Sequence, residues 1–218
     1  MNRRDFSTLL ASAAGTGLAL TGAGTAFAQG APVEGKDYVR LQTPSAVTGL
    51  ATGKKIEVIE FFWYGCPHCF TFEPTIEVWS KRLAPDVQFR QMPFAFIGPV
   101  EHQKLFYALE EIGQREALQK RIFNAIHLEN RRINTEADIL NFVAANGVDR
   151  AKFTAAWKSF GVNTKLNRGK QLSNAYKIDG VPAIGIQGRF YTAPSLAGSS
   201  ERAVAVADFL IQRARQGA

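Results

Sequence analysis

The chain has 218 residues, of which 46% are hydrophobic and 21% charged. That balance fits one or two globular domains and excludes a disordered tail or a polytopic membrane protein. Lys and Arg exceed Asp and Glu by 26 to 19, for a net charge of +7. The basic residues adjoin only at Arg3-Arg4, Lys54-Lys55, Lys81-Arg82, Lys120-Arg121 and Arg131-Arg132. No RNA-binding aromatic motif or zinc-finger spacing goes with them, so a solvated basic surface is expected and a nucleic-acid partner is not.

Residues 1–28 have the layout of a secretory signal: Arg3 and Arg4, an apolar stretch from Leu9 to Leu20, and Ala26-Phe27-Ala28 as an A-x-A site. Gly15, Gly17, Gly22 and Gly24 interrupt the run and argue against a membrane span. Cleavage after about Ala28 leaves a mature chain of about 190 residues starting near Gln29, in a bacterial envelope compartment. Arg3-Arg4-Asp5-Phe6 resembles the twin-arginine export motif, with general export as the alternative.

Further along, Ile56 to Trp63 is an apolar, β-branched and aromatic run that predicts a buried central strand. Phe72, Ile76, Trp79 and Leu83 then recur at helical spacing. Cys66 therefore falls at a strand-to-helix junction, with Cys69 in the first turn. Pro67 suits the first helical position, where its fixed φ and missing N–H cost nothing. Helical faces follow at Leu105, Leu109 and Ile112; at Leu118, Ile122 and Ile126; at Ile139, Leu140 and Val143; and at Phe153, Trp157 and Phe160. Gly113, Gly147 and Gly161 read as helix ends, and Thr135 (with Asp138) and Asp149 as N-caps. Ala183–Gln187 and Arg189–Thr192 predict a hairpin around Gly188, and Ser199 opens a last helix with Ala203, Val206 and Leu210 inward.

The two cysteines, Cys66 and Cys69, are spaced C-x-x-C. Half of a zinc site, a structural staple and a redox-active dithiol are the three readings. Zinc needs further ligands, and the histidines are His68 within the motif and the distant His102 and His127. A bridge closing so short a loop removes little chain entropy. The redox reading therefore leads. At a helix N-terminus, free N–H groups and the macrodipole favour an anion, so the Cys66 thiolate is stabilised, with His68 adding positive charge when protonated. A stabilised thiolate leaves readily, which makes the disulfide an oxidant.

Phe61-Phe62-Trp63-Tyr64-Gly65-Cys66-Pro67-His68-Cys69, followed by Phe70-Thr71-Phe72-Glu73, resembles the DsbA family of periplasmic thiol-disulfide oxidases, within the thioredoxin superfamily. Gly180-Val181-Pro182-Ala183 is similar to a second landmark of that family. The resemblance implies a cis proline at Pro182 that packs on the disulfide and holds the Val181 backbone ready to pair with an extended substrate; from the residues alone, Pro182 reads equally as a trans, strand-initiating proline. It also implies an entry to the first strand at Gly35-Lys36-Asp37-Tyr38 and a strand from Asp86 to Phe94. The fold class it implies is α/β: a thioredoxin fold split into residues 29–98 and 171–218, with an all-helical domain inserted at 99–170.

Glu60 and Glu73 match acidic positions that the family places beneath the active-site helix. Glu60, inside an apolar strand, is either on an exposed face or buried with a raised pKa, where it takes or relays protons. Glu73 reads first as a helix-surface residue. Arg90 is the candidate for the basic partner the family places near this pair. Trp63-Tyr64 reads as bulk at the strand end and groove rim, or as ordinary core. His102 and His127 read as surface or core residues. Phe94, Phe96, Ile97 and Pro99 form an apolar loop that either fills the core or contributes to a groove for unfolded chains.

The expected function is donation of the Cys66-Cys69 disulfide to reduced, newly exported proteins through a mixed disulfide at Cys66. Cys66, Cys69, His68, Pro67 and Pro182 carry the chemistry, with Glu60 and Glu73 in support and Val181 facing substrate. No metal and no cofactor beyond the disulfide is expected. The resemblance implies a quinone-coupled inner-membrane reoxidant of the DsbB type, and a monomer is the default. A disulfide isomerase or reductase of the same fold and a noncatalytic envelope binding protein with a structural disulfide are the rival readings.

Overall fold

The computed structural model describes residues 30–217. The signal layout of residues 1–28 lies outside them. From Pro32 onward the chain forms one compact unit. Its elements are β1 (Val39–Arg40), β2 (Ile56–Phe62), α1 (Pro67–Lys81), β3 (Val87–Pro93), α2 (Val100–Glu111), α3 (Arg115–His127), α4 (Glu136–Ala145), α5 (Arg150–Trp157), α6 (Phe160–Tyr176), β4 (Ala183–Ile186), β5 (Phe190–Thr192), α7 (Pro194–Ala197) and α8 (Ser200–Arg215). No helix among the described residues is long and apolar enough to cross a membrane.

The five strands form one mixed sheet in the order β1-β5-β4-β2-β3, with β2 and β3 parallel and the other pairs antiparallel. All seven residues of β2 are buried. This is why its sequence lacks the in-out alternation of a half-exposed strand. One face meets α1 and α8, where Val58 and Ile184 pack with Phe72, Ile76, Trp79, Val206 and Leu210. The other face meets the inserted helices, where Phe61 packs with Tyr176, while Phe62, at the end of the strand, packs with Phe106 and Phe123. The split thioredoxin-like sheet and its helical insertion, α2 to α6, thus share a core. α6 continues through residue 170, the boundary drawn from sequence, to Tyr176.

Local signals place most helix ends. Thr135 and Asp138 form a reciprocal capping box on α4, Asp149 accepts from Lys152 N–H at 2.8 Å, and Ser199 from Arg202 N–H at 3.0 Å. Gly113 and Gly147 take positive φ just past α2 and α4. The β4–β5 turn puts both Gln187 and Gly188 at positive φ and closes with Arg189 N–H on Ile186 O at 3.0 Å, the hairpin turn that matches strand twist. A Cβ on Gly188 would lie 2.0 Å from the Ser45 carbonyl oxygen, so space as well as φ requires glycine there.

Three expectations are corrected. Gly161 is the second residue of α6 and ends nothing; the chain turns earlier, at Lys158 and Ser159, where Ser159 Oγ accepts from Val162 N–H at 3.0 Å. That turn rotates Phe160 away from the face shared by Phe153 and Trp157, leaving it 86% exposed. Arg90 is not beside Glu60. Successive side chains on a strand face opposite ways, and the β2–β3 register sets Arg90 against Ile59 and Gln91 against Glu60. Arg90 therefore reaches Glu57, with Nη2 2.8 Å and Nε 3.1 Å from the same carboxylate oxygen.

Glu57 is 2% exposed, so its carboxylate depends on this partner. Arg90→Ala is expected to lower the free energy of unfolding by about 3 kcal/mol by leaving a buried charge unpaired. Urea unfolding at neutral pH measures it, and a loss within the range of an ordinary surface substitution would show the pair to be dispensable.

Candidate active site

β2 delivers the chain to the site, and α1 receives it. After Phe62 the residues Trp63, Tyr64 and Gly65 turn the backbone, and Cys66 N–H donates to Trp63 O at 3.0 Å. Cys66 is the N-cap of α1, in extended conformation, and Pro67 is the first helical residue. The cap makes no ordinary side-chain hydrogen bond, and no acidic residue lies in the first turn. The N–H groups there are thus left for the sulfur.

Both cysteines are free thiols. Cys66 is 8% exposed and Cys69 fully buried, while Pro67 and His68 are exposed. The two thiols are driven in opposite directions. A hydrogen bond from the Cys69 thiol lowers Cys66 to about 6 against the opposing effect of burial, helped by the backbone N–H groups of Cys69 and His68 and by the His68 charge. Cys69 is pushed far up, first by burial, then by the neighbouring Cys66 sulfur, with the Glu60 carboxyl adding to the shift. Cys66 Sγ lies 3.4 Å from Val181 O, and the Val181–Pro182 peptide is cis. The two sequence landmarks therefore meet at the sulfur.

Glu60 and Glu73 come together beneath α1. Glu60 is fully buried; one carboxylate oxygen accepts from Gln91 Nε2 at 2.8 Å and the other has no partner. Burial, then the Glu73 charge, raises its pKa well above the carboxylate range. The same Gln91 amide reaches Glu73 Oε2 at 3.4 Å, and Gln91 Oε1 accepts from Arg115 Nη1 at 2.7 Å. Glu73 is half-buried, not on the surface; burial raises it to about 7, against the amides of Gln119 and Gln91 and the charge of Arg115. A cavity of about 590 Å³ opens beside it, with Gln91, Arg115 and Gln119 in its wall. The basic group near the acids is thus Arg115, from the start of α3.

Sequence reasoning missed Gln91, Arg115 and Gln119. Only the β2–β3 register identifies Gln91, and no local spacing ties α3 to the acids. Tyr64 is fully buried, and its hydroxyl donates to Gln119 Oε1 at 2.8 Å. His127 stands 2.8 Å from Tyr64 O through Nε2 and stacks on Phe70 at 4.9 Å. His102 is buried, accepts from Trp63 Nε1 through Nδ1 at 2.9 Å and lies 2.9 Å from Ile133 O through Nε2. The Trp63 ring fills the space beside Gly65 and Gly98, where a Cβ would come within 2.4 and 2.1 Å of it. Both histidines thus buttress the turn before Cys66. Phe94 is core, while Phe96 is 51% exposed.

Comparison with known proteins places this geometry. The family model for the DSBA-like thioredoxin domain matches residues 57–202. The thiol:disulfide interchange protein DsbA of Burkholderia cepacia is 42% identical over 213 residues, covering 97% of each chain. Its namesake from Pseudomonas aeruginosa is 38% identical over 185 residues, or 84% of this chain and 86% of that one. Among solved structures, Pseudomonas aeruginosa DsbA superposes with a TM-score of 0.80 at 38% identity, covering 85% of this chain and 96% of that one. The oxidoreductase DsbA of Xylella fastidiosa gives 0.77 at 28%, covering 85% and 98%.

The depressed Cys66 pKa fixes a sign. Between about 6 and the ordinary thiol value of 9.0, the unfolded chain holds one proton more at this residue than the folded chain. The reduced form therefore gains stability as pH rises through this window, keeps all of it above 9.0, and loses it as pH falls through about 6. The oxidised form has no thiol at Cys66, so the stability difference between reduced and oxidised protein reports this titration. Paired unfolding curves across the window test this, with thiolate absorbance expected to titrate once near 6. A reduced-minus-oxidised difference that is flat with pH would contradict it.

Proposed function

The chain belongs to the DSBA-like thioredoxin domain family and is a thiol-disulfide oxidoreductase, and from that premise we propose that it oxidises reduced, newly exported proteins in the periplasm through a mixed disulfide at Cys66. The observation that carries this reading is the opposite displacement of the two thiols, Cys66 down to about 6 and Cys69 far up. One sulfur is made to leave as an anion and the other to hold its proton.

In the oxidised enzyme, a substrate thiolate attacks Cys66 Sγ, forming the mixed disulfide and breaking the Cys66–Cys69 bond. Cys69 departs with the electron pair and must take a proton, because its buried site disfavours an anion. Glu60, itself held protonated by burial, is the donor we assign, and Glu73, beside the cavity, recharges it from solvent. A second substrate thiolate then attacks the substrate sulfur of the mixed disulfide. Cys66 leaves as a thiolate held by the Cys69 thiol and the N–H groups of His68 and Cys69. The substrate gains a disulfide, and the enzyme is left as a dithiol two electrons richer.

His68 adds charge at the mouth, and Pro67 sets the first turn. Pro182 places the Val181 carbonyl beside Cys66, where an extended substrate strand pairs with it. Export by the segment ending near Ala28, reoxidation by a DsbB-type inner-membrane partner, action as a monomer and the absence of any cofactor beyond the disulfide complete the reading.

Cys66→Ser is expected to abolish oxidation of a dithiol peptide. Cys69→Ala, offered a peptide disulfide, is expected to accumulate a mixed disulfide that reductant releases. Glu60→Gln is expected to slow turnover on the order of tenfold and to flatten its pH dependence near neutrality, while leaving the Cys66 titration in place. Stopped-flow oxidation of a fluorescent dithiol peptide reads the first and third, and the mass of the adduct before and after reductant reads the second; full activity of Cys66→Ser would sink the mechanism.

A further inference from the structure

The positive charge of this protein is not spread evenly. Between Arg150 and Ile178 the chain carries Arg150, Lys152, Lys158, Lys165, Arg168, Lys170 and Lys177 and no acidic residue; the rest of the chain carries nineteen of each sign. These seven residues therefore account for the whole net charge of +7. Adjacent basic pairs do not reveal this, because on helices the cations stand several residues apart.

The cations divide by what holds them. Arg150 Nη1 donates to Asn141 Oδ1 at 3.2 Å, Arg168 Nη2 to the carbonyl and hydroxyl oxygens of Thr48 at 2.6 and 2.7 Å, and Lys165 pairs with Glu110 at 2.6 Å. Lys152, Lys158, Lys170 and Lys177 are exposed and have no side-chain hydrogen bond or ion pair among the described residues. Glu110 and Glu111 of α2 border the face, and Glu111 accepts from Ser159 Oγ at 2.9 Å. At the head of α6, between Lys158 and Lys165, stands Phe160, the most exposed large apolar side chain among the described residues at 86%. It leads a stripe of Asn163, Thr164, Asn167 and Gln171 on the outer side of the helix.

We propose that this α5–α6 face docks the protein on an anionic phospholipid surface, with the four unpartnered lysines attracted to the headgroup phosphates and the Phe160 ring inserted among them. Three features favour a lipid surface over an acidic polypeptide. The free cations are all lysines, flexible point charges that follow a fluid array of phosphates; the arginines, which recognise carboxylates in a fixed bidentate geometry, are already engaged within the fold. The four free charges stand apart, Lys152 in α5, Lys158 and Lys177 just past the ends of α5 and α6, and Lys170 within α6, and converge on no single point, as an extended charged plane requires and a discrete ligand does not. An exposed aromatic ring on an element that also carries unpaired lysines combines the apolar and cationic groups of interfacial anchors. The inference is independent of the redox reading, since none of these residues touches the thiols or the buried acids.

Vesicle flotation tests it, using the chain from Gln29 onward, which retains the whole compact unit. Phosphatidylcholine vesicles with about 30 mol% phosphatidylglycerol are expected to bind at least about tenfold more protein than phosphatidylcholine alone, and about 0.5 M salt to remove the difference. K152E/K158E/K170E/K177E is expected to lose that tenfold gain, and Phe160→Ser about threefold of it, each oxidising a dithiol peptide at the wild-type rate. Equal binding to both vesicle types, or undiminished binding by the lysine variant, would overturn the proposal. Retention on polyglutamate without vesicle binding would overturn it in favour of an acidic polypeptide.

Discussion

The first turn of α1 has backbone donors and no ordinary acceptor. In most helices a Ser, Thr, Asp or Asn oxygen takes these N–H groups; here the capping residue is Cys66, and a thiol accepts poorly. The turn is satisfied well only when the sulfur is an anion. The helix start therefore prefers one chemical state of the cap, and that preference appears as the lowered Cys66 pKa. A serine in its place would give a better-capped helix and an inert site.

Cys69 sits one turn along the same helix, yet its circumstances are reversed. It lies fully inside, where burial outweighs the one backbone hydrogen bond, from Trp63, that reaches its sulfur. Breaking a bond between the two sulfurs thus yields unlike fragments, an anion at the surface and a thiol within. The proton that makes them unlike needs a source within the fold. A carboxyl in the middle of a seven-residue buried strand would be a defect in an ordinary sheet. Here burial and the Glu73 charge favour its protonated form, the state that the proposed protonation of Cys69 requires.

The parts of this arrangement that sequence revealed are those with local causes. The β2 run, the helical spacing after Cys66, the caps at Thr135, Asp149 and Ser199 and the turn at Gly188 each depend on residues a few positions apart. Arg90 misled because a candidate near in sequence was assigned without the strand register, and one position along a strand is the opposite face. Glu73 looked exposed because its helix is exposed on one side, while the cover over its carboxyl comes from α3, distant in sequence. Phe160 fitted a helical period that the turn at Ser159 breaks. The resemblance marked the segments around Cys66 and Pro182, which meet at the sulfur, and only the packing of the insertion supplied their surroundings.

That insertion is more than a cover. Along α3, Arg115 holds the Gln91 amide between the two acids, Gln119 accepts from the Tyr64 hydroxyl, and His127 meets the Tyr64 carbonyl while stacking on Phe70. From α2, His102 accepts the Trp63 indole N–H. Each contact lands on the strand-to-helix turn, on the first turn of α1 or on the side chains that hold the buried acids. An isolated thioredoxin-like sheet would carry the same Cys-Pro-His-Cys motif with that turn unsupported and Glu73 open to water. A carboxyl in water returns to the ordinary acidic range and stays ionised at neutral pH. The helices therefore set how hard the buried acids hold their protons, the property on which the proposed protonation of Cys69 depends.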